Sequence, residues 1–385
     1  MRLNVQAAAL CAFLSLTTAG HAADDKADIE KIVAQAIQPV MAQYGVPGMA
    51  IGIVVDGQPT LYNFGVASKA TGGPVTDSTL FEIGSVSKTF TATLTAYAAL
   101  GGQLSLADAA SKYLPSLRGS AMDKVSLLNL GTHTTGGMPL QIPDEVSNTE
   151  QMMAWFRGWK PPHEPGTYRT YANPSIGLLG VIAAKSMKVE FPALMEQQLY
   201  PALGLKNTYL DVPKARLNDY AQGYTKTDKP ARMSPGVLAD EAYGVRTTAG
   251  DLLRFVQANM GLPGLDPKWR QAITATHTGY YRLGAMTQDL IWEQYAYPAE
   301  LKDVLAGNSA QVSYEANPVA RIDPPLPPQD GVLINKTGST NGFGAYVAFI
   351  PAKKIGIVLL ANKNYPNEAR VSAAYEILTK LANTR

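Results

Sequence analysis

A serine and a lysine one helical turn apart, Ser85 and Lys88, open an apolar run rich in Ala and Thr within Phe81-Glu82-Ile83-Gly84-Ser85-Val86-Ser87-Lys88-Thr89-Phe90. A serine hydroxyl attacks poorly at neutral pH unless a base or a fixed positive charge lies against it, and a spacing of three on a helix brings two side chains together. With the helix starting at Ser85, the hydroxyl also sits at its positive end, where free backbone N–H groups bind an oxyanion as it forms. Ser85 is the expected nucleophile and Lys88 its partner. An isolated S-x-x-K is more often a helix cap beside a solvated lysine, so the pair needs company elsewhere in the chain.

That company is Tyr171-Ala172-Asn173, after the turn at Pro165-Gly166, and Lys336-Thr337-Gly338 at the end of an expected strand. Tyr171 is a general-base candidate, although an unperturbed pKa of about 10 leaves roughly one phenol in a thousand ionised at pH 7. Lys88 and Lys336 would favour the phenolate, or one of them would be neutral and take the proton itself; both assignments stay open. Asn173 before Pro174 reads as a helix N-cap followed by its first-turn proline. Lys336 can attract a substrate carboxylate, and Gly338 leaves room for a substrate amide along the strand edge. The histidines His133, His163 and His277 are isolated in sequence, so core or surface packing explains them and neither a metal nor a cofactor is expected.

Helix and strand patterns must position these groups. Ile29, Ile32, Val33, Ile37, Val40 and Met41 fall at helical spacing, predicting a helix from Asp25 to Tyr44, bent at Pro39 and ended by Gly45 and Pro47. Met49 to Val55 and Thr60 to Ala67 read as an antiparallel pair joined by Asp56-Gly57. Helices are expected at Ser85 to Leu100, Ser126 to His133, Pro174 to Ser186, Phe191 to Leu199 and Thr248 to Met260, with few strand signals among them. Strands return at Val332 to Thr337, Phe343 to Ile350 and Ile355 to Leu360, followed by a closing helix from Asn367 to Leu381. The proline run Asp323 to Pro328 reads as an extended loop. The expected fold is of α/β (α+β) type, an antiparallel sheet flanked by the N- and C-terminal helices. Residues 23–84 and 283–385 form the sheet unit, 85–282 a mainly helical insertion, and the site lies in the cleft between them.

Of the 385 residues, Met1 to Ala22 carry Arg2, an apolar run from Ala7 to Leu16 and a small-residue end, the pattern of a cleaved secretory signal. The single cysteine, Cys11, lies inside it, so no disulfide is expected in the mature protein. No later stretch offers the ~18 uninterrupted apolar residues of a membrane helix. A formal net charge of +2, without a long basic run, gives no footprint for nucleic acid.

The ordered triplet of serine motif, Tyr-Ala-Asn and Lys-Thr-Gly resembles the penicillin-recognising serine enzymes, and with its surroundings is similar to the class C β-lactamases of AmpC type, across the whole mature chain. The likeness extends to Met138 to Pro143, to Ser234-Pro235-Gly236 with Glu241-Ala242-Tyr243-Gly244, and to Leu360 to Asn367. It implies the β-lactamase/transpeptidase-like fold, a β-lactam substrate with cephalosporins preferred, a Ser85 acyl-enzyme, a periplasmic monomer without a membrane anchor, and no cofactor. It further implies that Gln141 and Asn173 hold the substrate's acylamino group and that Tyr243 walls the side-chain pocket. The Ser339 N–H would join that of Ser85 in an oxyanion hole, and Thr337 and Asn367 would help bind the carboxylate, with Asn364 and Arg370 as further residues of that edge. The segment Gly307 to Tyr314 departs from the family pattern. No Glu-x-x-x-Asn element like the class A water-activating glutamate follows the second motif, which leaves hydrolysis to the tyrosine and lysines. A DD-peptidase or esterase of the same fold is the nearest rival, and a β-lactam sensor that stays acylated is another.

Overall fold

The computed structural model describes residues 27–261 and 264–383. The expected signal segment, 1–22, lies outside the described residues, as do Cys11 and the expected helix start at Asp25. The first helix, α1 (27–44), runs unbroken through Pro39 and ends at Gly45, whose φ of +59° favours glycine. Strands β1 (Gly48–Val55) and β2 (Gln58–Gly65) follow, joined by Asp56 and Gly57 at φ +50° and +81°, the backbone of a two-residue hairpin turn.

Nine antiparallel strands make the main sheet. Beyond the hairpin these are β3 (Gly279–Leu283), β4 (Met286–Gln288), β5 (Glu293–Ala296), β6 (Ala320–Leu326), β7 (Val332–Ser339), β8 (Gly344–Ile350) and β9 (Ile355–Ala361), in the spatial order β6-β3-β4-β5-β7-β8-β9-β1-β2. Both faces of its centre are buried, so β1, β8 and β9 read as near-continuous apolar runs. Ile51, Ile53, Ile357 and Leu359 pack under α1 and the last helix, α5 (Asn367–Asn383), while Ala50, Val54, Val347 and Phe349 face the opposite core. That second core also receives Leu252, Leu253 and Val256 of α4 (Ala249–Asn259), whose N-cap Thr248 accepts the Asp251 N–H.

Two expectations are corrected here. The proline run is not a loop but part of edge strand β6, whose register against β3 breaks between Arg321 and Leu326. Proline lacks the ladder N–H, and an edge is where a sheet tolerates that loss. Strands β3 to β5 also went unforeseen, because they are short and carry polar residues (Thr287, Gln288, Glu293, Gln294) in a buried setting, which breaks the period-two signal.

The inserted helical part is built on α2 (Ser87–Leu100) and α3 (Asn173–Met187), which pack on each other. Helix α2 is buried along nearly its whole length. Its threonines are compatible with that burial because their hydroxyls turn back on the helix: Thr93 donates to Thr89 O and Thr95 to Thr91 O, each at 2.9 Å. The expected helix start at Ser85 is a 3-10 turn, Gly84–Val86, that leads into α2 at Ser87.

Candidate active site

Ser85 is held between two elements by a pair of glycines. Gly84 has φ +50°, and a Cβ there would lie 2.4 Å from Ser339 O at the end of β7. A Cβ on Gly338 would lie 2.0 Å from Ile83 O and 3.1 Å from Ser85 N. The bare backbone of Gly338 thus admits the nucleophile's turn, a constraint beyond the role expected from sequence. The close approach brings the Ser85 and Ser339 backbones to the same wall.

Lys88 Nζ lies 2.9 Å from Ser85 Oγ and 2.9 Å from Ala242 O, fully buried on the first turn of α2. Burial lowers its pKa; the Tyr171 phenol raises it in part and the Lys336 charge lowers it again, leaving a value of about 8. Tyr171 sits between the two lysines, each Nζ 5.1 Å from its ring centroid. Burial pushes the phenol up, but the charge of Lys336, then that of Lys88, and the closeness of Ser85 and Lys88 bring it down to about 8. Its Oη is buried and makes no hydrogen bond of full donor–acceptor geometry, which leaves a polar atom aimed into the cleft.

Three residues that sequence left out complete the surroundings of Tyr171. His133, in the left-handed region at φ +58°, packs its ring 4.4 Å from the tyrosine ring and accepts the Ala172 N–H through Nδ1 at 3.3 Å. Burial, with the charges of Arg169, Lys88 and Lys336, holds it neutral. Arg169 bonds Glu293 at 2.8 Å and Gln288 at 2.6 Å, with its guanidinium 5.6 Å from the Tyr171 ring. Glu293 is also 4.0 Å from Lys336 Nζ, which donates to Thr337 O at 3.1 Å. Four charged groups thus share one dry region, where each interaction counts for more than in water. The signal that could have pointed to Glu293 is a lone carboxylate in the otherwise uncharged run from Leu290 to Ala296.

The cleft has two adjoining chambers of about 170 and 660 Å3. Ser85, Gln141, Asn173 and Ser339 border both; Tyr171, Lys336, Thr337, Gly338 and Asn367 line the smaller, and Tyr243 and Asn364 the larger. Of the thirteen residues picked from sequence, all but Arg370 therefore gather at one cleft, Lys88 through its bond to Ser85. Asn173 differs from expectation in one respect. It is the first residue of α3 and does not cap it, and its Oδ1 is buried without a partner at the chamber wall. Arg370 is buried instead of facing the cleft: it donates to Gly338 O at 2.6 Å, to Ser339 Oγ at 3.0 Å and to Tyr365 O, bracing the end of β7. The unmatched segment 307–314 borders the Lys336 side, and Tyr314, 71% exposed, touches both chambers. No group of metal-ligating side chains occurs among the described residues, and no helix among them is long and apolar enough to cross a membrane.

A serine with a buried lysine and tyrosine beside it, set where the end of β7 meets helices α2 and α3, is a constellation suited to nucleophilic acyl chemistry. The Beta-lactamase family profile matches residues 33–382, and the chain belongs to that family. It is 56% identical over 346 residues to a beta-lactamase of Lysobacter lactamgenus, covering 90% of each chain. It is 50% identical over 354 residues to one of Pseudomonas fluorescens, covering 92% of this chain and 99% of the relative. Among solved structures it superposes on a class C beta-lactamase in complex with cefoxitin, with TM-score 0.90 and 51% identity over 92% of this chain and 99% of that one. It also superposes on a protein described as D-alanine carboxypeptidase AmpC from Burkholderia cenocepacia, with TM-score 0.89 and 55% identity over 92% and 99% of the two chains.

Proposed function

We propose that this chain, a class C serine β-lactamase, hydrolyses the β-lactam amide through an acyl-enzyme on Ser85, with cephalosporins its preferred substrates. Ser85 Oγ attacks the ring carbonyl as Tyr171 takes its proton, Lys88 holding the hydroxyl in place. Oxyanion charge falls on the Ser85 and Ser339 N–H groups. The ring C–N bond then breaks and the proton passes from Tyr171 to the leaving nitrogen. In the second half-reaction water gives a proton to Tyr171 and its oxygen attacks the ester carbonyl. The C–Oγ bond breaks and Ser85 recovers the proton.

The observation that carries this assignment is the placement of the Tyr171 phenol, with a pKa of about 8, between two ammonium groups. The two ammonium groups thus make the phenolate easier to form than in a free tyrosine, of which about a thousandth is ionised at pH 7. Gln141 and Asn173 would hold the acylamino group and Tyr243 would wall the larger chamber. Lys336, Thr337, Asn367 and Asn364 would take the substrate carboxylate. The functional layout proposed is a sheet unit against a helical unit, close to the expected division of 23–84 with 283–385 and 85–282 but with the sheet unit resuming at Gly279, where β3 begins, acting as a monomer exported to the periplasm after loss of residues 1–22.

Nitrocefin turnover by the mature chain, with intact-mass detection of the adduct and its loss in Ser85→Ala, tests the proposal. Release of D-alanine from a D-Ala-D-Ala peptide without cephalosporin turnover would instead favour the carboxypeptidase named for one of the similar structures. A persistent adduct without turnover would mark a sensor.

A further inference from the structure

Three residues before the nucleophile, Glu82 is a buried carboxylate, 1% exposed, that contacts neither chamber. It lies in the two-residue strand Phe81–Glu82, paired to Arg246–Thr247 and continuous with the Ser85 turn. Its Oε1 accepts two hydrogen bonds from a distant part of the chain, one from Tyr220 Oη and one from Met233 N at 2.8 Å. Its Oε2 is buried and unpartnered. Tyr220 stacks on Phe343, with ring centroids 6.2 Å apart, and carries the Arg232 guanidinium 4.1 Å above its ring. Burial and the adjacent Glu82 charge raise the Tyr220 pKa, so the phenol stays a donor.

Met233 lies near the start of the stretch that forms one wall of the larger chamber, Arg232 to Leu238. Most of this wall is solvent-exposed and without regular secondary structure. Across 233–235 the bond from Met233 N–H to Glu82 is the only hydrogen bond among the described residues. A charge-assisted bond to a buried carboxylate therefore ties the middle of the wall to the same short strand that leads into Ser85, while its Arg232 end is held separately by donating to Tyr220 O at 2.6 Å and Ala221 O at 3.2 Å.

We infer that Glu82 is a positioning residue that sets which acyl substituents the larger chamber admits, by fixing the distance between the 232–238 wall and the Ser85 turn. This rests on the β-lactamase reading of the site. Weakening the tie lets the wall move outward without displacing Ser85, Lys88 or Tyr171, so substrates with bulky side chains gain relative to small ones.

The test uses the whole mature chain and two cephalosporins with the same leaving group, one with a small acylamino side chain and one with a branched aromatic side chain. In Glu82→Gln the ratio of kcat/KM for the bulky to the small substrate should rise about threefold to tenfold, mainly through KM of the bulky one, as expected for loss of one charge-assisted bond. Exchange of the Met233 amide should quicken. Tyr220→Phe, which keeps the stacking and removes one donor, should move the ratio in the same direction and guards against poor folding of the first variant. Equal losses for both substrates, or an unchanged Met233 exchange rate, would overturn the assignment. Failure of the wild-type chain to turn over either cephalosporin would count against the functional reading instead, while Met233 exchange would still report on the tie.

Discussion

Gly84 and Gly338 interlock: each lacks the Cβ that would strike the other's strand or turn, at 2.4 Å from Ser339 O in one direction and 2.0 Å from Ile83 O in the other. The nucleophile's turn and the end of β7 are thereby set at a separation that only two bare backbones allow. Neither obstacle can swing aside, because both are backbone carbonyls.

Gly338→Ala should therefore push the Ser85 turn off β7. A shift of about 1 Å in a catalytic group costs on the order of 100-fold, so kcat/KM should fall by at least that much, with a lower melting temperature. Steady-state kinetics beside thermal unfolding checks this. A fully active, equally stable variant would mean that the turn and the strand are free to separate.

Tyr171→Phe keeps the ring against His133 and removes the phenol, so the fold should survive. Turnover should drop by roughly 10²–10⁴-fold, the range for a positioned acid–base group. Stopped-flow measurement of acylation and deacylation, with intact-mass detection of the Ser85 adduct, assigns the loss to a step. Near-normal hydrolysis would move the proton acceptor to Lys88.

Lys336→Ala should act twice. Loss of a charge-assisted contact to the substrate carboxylate should weaken transition-state binding by ~2 kcal/mol, or about 30-fold. Separately, burial raises the Tyr171 pKa and the Lys336 ammonium is the largest influence bringing it down to about 8. Activity that needs the phenolate rises as pH climbs through that value, so removing the ammonium should move the acid limb of kcat/KM to higher pH. A pH profile with a substrate lacking the carboxylate isolates the second effect, and an unmoved limb would argue against a phenolate base.

Asp289 is buried with both carboxylate oxygens unpartnered, between Gln288 and the β5 strand. Burial, with the charge of Glu293, raises its pKa well above the ordinary carboxylate value. For a raised carboxylate, its contribution to stability is whole below the unfolded pKa of about 4 and is lost as pH rises toward the folded value. Asp289→Asn should thus stabilise the protein at pH 7 by about 1–3 kcal/mol, the scale of an unmatched buried polar group. The gain should shrink as pH falls toward 4. Paired denaturant titrations at the two pH values measure the difference, and a gain independent of pH would assign it to packing instead of charge.

How much of this was legible in sequence follows from which signals are local. Ser85 with Lys88, and Tyr171 with Asn173, sit within one turn of each other, and Lys336 to Gly338 end a strand of plain β pattern. The strands β1, β7, β8 and β9 were legible for the same reason, each carrying its own apolar run, and β2 through the Asp56-Gly57 turn that pairs it with β1. Arg169, Glu293 and His133 were not, because their meaning lies in what a distant element presents to them: Arg169, in the short strand Tyr168–Arg169, meets a Glu293 that lies 124 residues further on, and Lys336 comes near that carboxylate only once β5 is laid beside β7. Gly338 was seen as special, but one of its constraints was not legible, since the carbonyl a Cβ there would strike belongs to the distant turn at Ile83.

The pairing of β1 with β9 places Ile51 opposite Leu359 and Gly48 N–H on Asn362 Oδ1, a hydrogen bond spanning 314 residues of chain. The hairpin of β1 and β2 is thus made long before β9, and one flank has no partner until that strand has followed. Loops of that span close slowly, and a hairpin with one open edge is marginal alone. The nucleophile cannot be clamped before then either, because β7, which carries its glycine counterpart, must first dock on β8. No catalytic geometry therefore exists until β7 and β8 have been made, and a chain cut before β9 should be inert as well as unstable.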